Sequence, residues 1–325
     1  MQMREGMELM PQQKGMPQLK GMPQLKGMPQ RKGHFWTTES KLAYLFLLPA
    51  TVYLIAFMIY PIFNVIFISF YKTNRMAKLT GFAGLANYRD LFEQREFWEI
   101  MLRSIYWTAL AVAVKTVFGM LIALLLNVEY RGRKIARTLI IIPWASSVPI
   151  SALLWTWVYH PEFGLLNYTL KVTGLVKSPP VWLGMPIPAF FSVIWVDIWI
   201  GIPFMTLVFL AGMQAISKDL YEAAEVDGAN AFQRYIYVTL PGLRNVLLIA
   251  TLLSILWTFN DFNTIYIMTH GGPANSTHIL ITYIYEHTFH WLKWHYGAVM
   301  AVITFIILSV IAWVYARFYF KKGVE

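Results

Sequence analysis

LAYLFLLPATVYLIAFMIYPIFNVIFISFY, running from Leu42 to Tyr71, contains no charged residue. A helix rises about 1.5 Å per residue, so about 20 apolar residues cross the hydrocarbon core of a bilayer, and this stretch exceeds that need. Lipid offers no hydrogen-bond partners, so the backbone must satisfy itself within the segment, which selects helix over an open strand. Pro49 and Tyr60-Pro61 are placed to kink it. Five further apolar segments follow. Ser104–Val128 carries one charge, Lys115, and Thr138–Tyr159 holds Pro143 and Pro149; Pro188–Ser217 carries only Asp197, Val246–Thr269 only Asp261, and Tyr296–Ala316 none. The expected fold is therefore all-α, a polytopic membrane protein with six transmembrane helices at about 42–71, 104–128, 138–159, 188–217, 246–269 and 296–316.

Composition agrees. Hydrophobic residues make up 57% of the 325 and charged residues only 14%, against about 25% charged in soluble domains. The absence of cysteine excludes a disulfide framework, thiolate metal ligands and a cysteine nucleophile. The net charge of +10 sits mostly beside the apolar runs, where Lys and Arg mark the cytoplasmic side, so it points to a membrane surface and away from nucleic acid. Lys26, Arg31, Lys32 and Lys41 precede the first span; Arg131, Arg133, Lys134 and Arg137 fill the second connection; Arg317, Lys321 and Lys322 follow the last. One topology puts all three groups in the cytoplasm, with both termini there.

Residues 1–41 are expected to be a disordered basic cytoplasmic tail, because the hexads KGMPQL KGMPQL KGMPQR at Lys14–Arg31 place Pro and Gly too often for helix or strand. No small-residue cleavage pattern follows the first apolar run, so a removed signal peptide is not expected. The six-span domain covers 42–318, and residues 319–325 form a C-terminal cytoplasmic tail.

Between the fourth and fifth spans lies the charged stretch LYEAAEVDGANAFQRYIYVTLPG, Leu220–Gly242. Ser217 is placed to cap a helix from Lys218, Gly228 to end it in a left-handed residue, and Pro241 to interrupt a second helix around Asn230–Thr239. Small residues at the bend let another protein approach the backbone. Glu222 with Glu225 or Asp227 would be the acid–base pair of an enzyme, yet no histidine, serine–base pair or phosphate loop accompanies them. A docking element explains both the charges and the bend.

These residues carry a resemblance. EAAEVDGANAFQRYIYVTLP is similar to the EAA loop of binding-protein-dependent ABC transporter permeases, through Glu222, Ala223, Ala224, Asp227, Gly228, Ala229, Phe232 and Leu240-Pro241. It extends from about Ala43 to Arg317. YP at Tyr60-Pro61 and GLANY at Gly84–Tyr88 agree, and THGGPANSTHILITYIYE at Thr269–Glu286 resembles the GGGP loop of carbohydrate permeases of the maltose and glycerol-3-phosphate group. The resemblance implies a type I importer permease fold, a cytoplasmic coupling helix entering a cleft on an ATPase subunit, and Glu222 as the contacting glutamate. It also implies two ABC ATPase subunits, a second permease subunit, an extracytoplasmic solute-binding protein and a sugar substrate. The hexad tail has no counterpart in that pattern.

An ionisable residue inside a span is a functional-site hypothesis. Ser254, Trp257, Thr258 and Asp261 fall at i, i+3, i+4 and i+7, and Asp197, Gly201 and Phe204 at i, i+4 and i+7, so each set shares one helical face. Hydroxyls, carboxylates and aromatic faces suit a sugar. The same aspartates would also serve by ending helices or by pairing with Lys115. By resemblance DIWIGIP at Asp197–Pro203 matches the sugar-contacting NxWxGxP of maltose-type permeases, with Asp197 in place of Asn. A carboxylate there disfavours a phosphate ester unless Lys115 neutralises it. His287, His290 and His295 match no metal spacing, and with Trp291 and Trp294 they read as an interfacial aromatic belt.

The chain lacks a G-x-x-x-x-G-K-[ST] loop, so it is read as a non-catalytic permease subunit of an ATP-driven sugar importer. It carries no cofactor of its own, and ATP and Mg²⁺ are held by partners. An ion-coupled secondary transporter using Asp197, Asp261 and Lys115, or a permease for glycerol-3-phosphate, is the alternative.

Overall fold

A computed structural model describes residues 38–320, with side-chain surroundings from Leu42. The hexad repeats and the last five residues lie outside the described residues. The chain divides into two compact units, one ending at Met58 and one beginning at Ile59. The described part of the first is helix α1, Thr38–Leu54, and the start of a π-helical turn at Ile55–Ile59. Helix therefore begins at Thr38, four residues ahead of the expected first span. The π turn stands just before Tyr60-Pro61. Proline lacks an N–H and clashes with the carbonyl four residues back, and a widened turn accommodates the second fault.

The second unit opens with α2, Tyr60–Ser69, and an antiparallel hairpin, β1 Tyr71–Thr73 with β2 Leu79–Phe82, paired Tyr71 to Phe82. Helix α3, Ala86–Phe92, follows. The GLANY residues act here as a joint: Gly84 adopts φ +56°, the Asn87 amide donates to Ser69 O and Tyr71 O at 2.9 Å each, and Tyr88 OH meets Ser69 Oγ at 2.7 Å.

Helix α4, Arg95–Asn127, is longer than the expected span, because its first turns are charged and hydropathy alone stops at them. Helices α5, Arg133–Ala145, and α6, Val148–Val158, occupy the stretch expected as the third span and meet at 95°. Pro143 weakens the last turns of α5, and extended Ser146 and Ser147 precede α6, which has Pro149 in its first turn. Next come α7, Leu165–Val172, and α8, Pro186–Gln214. The connecting stretch holds α9, Lys218–Val226, α10, Ala231–Arg234, a π turn at Tyr235–Thr239 and α11, Leu240–Gly242. The fifth span is split into α12, Arg244–Phe259, and α13, Phe262–Thr269, at Asn260-Asp261. Helix α14, Leu280–Tyr285, and α15, Trp294–Phe320, complete the chain. Among the described residues five helical runs are long and apolar enough to cross a membrane, and the bent α5–α6 pair makes a sixth if counted as one span.

The core sits where α4 packs along α8. Gly119 of α4 makes this possible, since a Cβ there would fall 2.5 Å from Met205 Cβ, the close backbone approach that small residues permit in membranes. Trp107 and Ala111 pack with Val193 and Val196 toward one end of this contact, and Met120 and Ala123 with Met205 and Phe209 toward the other.

Candidate functional site

Between the ends of that core the packing gives way to a cavity of about 720 Å³. Helix α4 offers Lys115, α8 offers Asp197, Gly201 and Phe204, and α12 offers Ser254, Trp257 and Thr258. Asp261, at the break between α12 and α13, completes the set. All seven residues expected to line a pathway thus meet on one wall system, together with the lone lysine of the second span. The two stripes converge because both helices pack on α4.

Lys115 is 3% exposed, and its Nζ lies 2.6 Å from Asp197 Oδ2 and donates to Thr258 Oγ1 at 2.8 Å. The approach to Asp197 is poorly angled for a hydrogen bond, leaving Oδ2 without a well-directed donor, so the contact is mainly charge on charge. Three helices are joined at this one ammonium. Gly201 gives its stem room: a Cβ there would sit 2.6 Å from Lys115 Cε.

Asp261 does a different job. Its Oδ1 accepts from Thr264 N at 3.1 Å and caps α13, while its buried Oδ2 has no partner among the described residues. The capping and pairing roles weighed for the two aspartates are therefore both present, and both are compatible with facing the cavity. Trp257 is 53% exposed, with Phe204 edge-on to it at 4.9 Å and Trp144 6.3 Å beyond Phe204. Trp144, Asn260, Asn263 and Thr264 also line the space and were not identified from sequence. The polar run Asn260-Asp261-Phe262-Asn263 inside an apolar segment, and a tryptophan beside Pro143, were the available signals.

The charged connection forms a tight corner. Ser217 Oγ accepts from Asp219 N at 3.3 Å to start α9. Gly228, at φ +79°, ends it: Gly228 N donates to Glu225 O at 3.0 Å and Ala229 N to Ala224 O at 2.9 Å, the paired bonds of a Schellman stop. Asn230 and Gln233 then cap α10 reciprocally at 2.8 and 2.9 Å. Helical backbone continues through Pro241 by way of the π turn, so the proline reshapes this second helix without ending it. Glu222, Ala223, Asp227 and Gly228 are exposed; Ala224 and Ala229 are half-buried. Leu220, Val226, Phe232 and Tyr237 are exposed apolar groups on the same corner, Val226 at 88%. Glu225 binds Arg234 at 3.0 Å, whereas Glu222 makes no hydrogen bond or ion pair among the described residues. Open space surrounds Gly228, so its glycine is required by backbone angle alone. Gly228→Ala is expected to cost about 1–2 kcal/mol, read as faster protease cleavage between α9 and α10 with the spans untouched.

The three histidines go to separate neighbours. His295 Nδ1 meets Thr73 Oγ1 at 2.9 Å, His290 Nε2 meets Tyr266 OH at 3.3 Å, and His287 lies against Tyr283 and Trp291 at 4.3 and 4.2 Å between ring centroids. Burial, with nearby Lys293, pushes the His287 imidazole down to about 4, so at neutral pH it is one more uncharged ring.

The model of a family described as binding-protein-dependent transport system inner membrane component matches residues 115–322. The trehalose/maltose transport system permease protein MalF of Thermococcus litoralis is 36% identical over 279 residues, 86% of this chain and 94% of the relative. The sulfoquinovosyl glycerol transport system permease protein SmoG of Agrobacterium fabrum is 33% identical over 280 residues, 86% of this chain and 90% of the relative. A chain in the crystal structure of a bacterial ABC transporter involved in import of the acidic polysaccharide alginate superposes with a TM-score of 0.76 at 22% identity, covering 88% of this chain and 97% of that one. That likeness concerns the fold.

Proposed function

The chain belongs to the family of binding-protein-dependent transport system inner membrane components, and we propose that it is the membrane-spanning subunit of an ATP-driven saccharide importer, with its cavity as the solute site. The observation that carries this reading is the convergence of Asp197, Thr258 and Asp261 with the aromatic groups Trp144, Phe204 and Trp257 around one space. Carboxylate and hydroxyl oxygens accept from sugar hydroxyls, and flat rings cover the C–H faces of a pyranose. The names of the relatives from Thermococcus litoralis and Agrobacterium fabrum, both sugar-compound transporters, support the same class. Gly201 on α8 and Ser254 on α12 also line the space.

Coupling falls to the corner at α9–α10. Helix α8 continues ten residues past Phe204 to its end at Gln214, and α12 begins at Arg244, ten residues before Ser254, so each joins the corner to the cavity by roughly 15 Å of helix. A push on Glu222, Ala223, Ala224, Asp227, Gly228 or Ala229 is transmitted along two rigid rods to opposite sides of the solute. The motor is supplied by two ATPase subunits that bind ATP and Mg²⁺. A second permease subunit completes the path, and an extracytoplasmic binding protein delivers solute. A crystal structure described as the alginate transporter in complex with a pentasaccharide-bound periplasmic protein supports that last partner. Both termini lie in the cytoplasm, which follows from the Lys and Arg distribution.

The test is uptake into vesicles containing the assembled transporter. Uptake is expected to require ATP and to survive an uncoupler; dependence on a proton or sodium gradient would establish the ion-coupled alternative. Trp257→Ala and Asp261→Ala are each expected to lower the uptake kcat/KM by about tenfold, equivalent to about 1.4 kcal/mol, with assembly intact. Unchanged kinetics in both would remove this wall from the pathway.

A further inference from the structure

The cavity is lined by three ionisable side chains, one ammonium against two carboxylates. Lys115 is committed to Asp197 at 2.6 Å and to Thr258 at 2.8 Å, whereas Asp261 has no ion-pair partner among the described residues. Resting on the reading of this space as the saccharide site, we infer that Asp261 makes it a charge filter that admits uncharged polyhydroxy solutes and turns away anionic ones such as uronic acids and sugar phosphates.

Three features support the inference. Asp261 Oδ2 is a buried acceptor without a donor, a costly state that a solute hydroxyl relieves by donating to it. A carboxylate or phosphate on the solute is an acceptor only, so it leaves Oδ2 unsatisfied and adds like-charge repulsion. The capping of α13 by Oδ1 fixes the carboxyl group at the break between α12 and α13. The surrounding walls of Val148, Ile200, Phe204, Leu256 and Trp257 are apolar, and a low-dielectric lining strengthens the repulsion. Lys115 does not reverse it, because its ammonium is already engaged by Asp197 and Thr258.

The chain contains no cysteine, so an introduced thiol is the single one in this chain, and the transporter with the unsubstituted chain gives the background. Ser254→Cys and Asn263→Cys, both at lining positions, would be made in the full-length chain within vesicles holding the complete transporter. Each is treated with cationic 2-(trimethylammonio)ethyl and anionic 2-sulfonatoethyl methanethiosulfonate, with rates normalised to a free thiol. The cation is expected to react at least about tenfold faster, and Asp261→Asn to bring the ratio within about threefold. A normalised ratio near one, a ratio indifferent to Asp261→Asn, or failure of both reporters to react overturns the filter. Protection of the reporters by a neutral disaccharide, maltose or trehalose, reads the saccharide site separately. Absence of protection beside an intact charge ratio overturns the saccharide reading alone, whereas protection with no charge ratio overturns the filter alone.

Discussion

Glu222→Arg is expected to abolish ATP-driven uptake and copurification of the ATPase while the chain still inserts in the membrane. Two glutamates stand one turn apart on α9, and the structure separates their roles. Glu225 is held by Arg234 at 3.0 Å across the corner, so it closes the bend. Glu222 is exposed and has no hydrogen bond or ion pair among the described residues, leaving its charge available to a partner. Reversing a charge that meets a buried counterpart costs about 2–5 kcal/mol, or some thirtyfold to several thousandfold in affinity. No hydrogen bond or ion pair among the described residues is lost by the change, and helix α9 keeps its Ser217 cap and its Gly228 stop. Glu225→Gln serves as the contrast: it loosens the corner and is expected to lower uptake by less than about tenfold, an exposed pair being worth about 1 kcal/mol or less. Wild-type uptake by the Glu222→Arg protein would remove the coupling assignment.

The sequence made the helices, the capped corner and the cavity wall legible for one reason: each depends on periodicity or on a local cap. Ser254, Trp257, Thr258 and Asp261 share a face by spacing, and Ser217 and Gly228 mark the ends of α9 by their own chemistry. What escaped depends on tertiary geometry. Pro143 and Pro149 announce a disturbance, but hydropathy has no angle in it, and a 95° turn reads the same as a mild kink. Asn260 and Asp261 sit within an apolar run, so the break they make between α12 and α13 was absorbed into one span. The start of α4 was set nine residues late because Arg95–Arg103 is charged, although the i,i+4 pair of Arg95 with Glu99 at 2.8 Å is itself helix-favouring. The hairpin at Tyr71–Phe82 is short, and apolar alternation over three or four residues carries little signal. The partner of Lys115 was also beyond sequence, because two aspartates on different helices were equally plausible and only packing on α4 selects Asp197.

That selection gives the second large effect. Lys115→Met is expected to leave the Asp197 carboxylate buried without its cation, and Asp197→Asn to leave a buried ammonium with Thr258 alone. Breaking a buried pair from one side costs about 3–5 kcal/mol, much more than the pair contributes over an apolar replacement, because the penalty is that of stranding one charge. Each single variant should therefore show early unfolding in detergent and low membrane yield. The double variant, Lys115→Met with Asp197→Asn, strands neither charge, and its stability is expected to return to within about 1 kcal/mol of the parent. Methionine fills much of the lysine stem's path past Gly201, where a Cβ would already be 2.6 Å from Lys115 Cε, so packing between α4 and α8 survives. Thermal unfolding of the four proteins forms a double-mutant cycle whose coupling term measures the pair directly. A coupling near zero would mean that the 2.6 Å contact does not hold α4, α8 and α12 together. Recovery of stability without recovery of uptake in the double variant would place the pair's value in the solute path, because an apolar replacement restores packing but offers no polar group to a sugar hydroxyl.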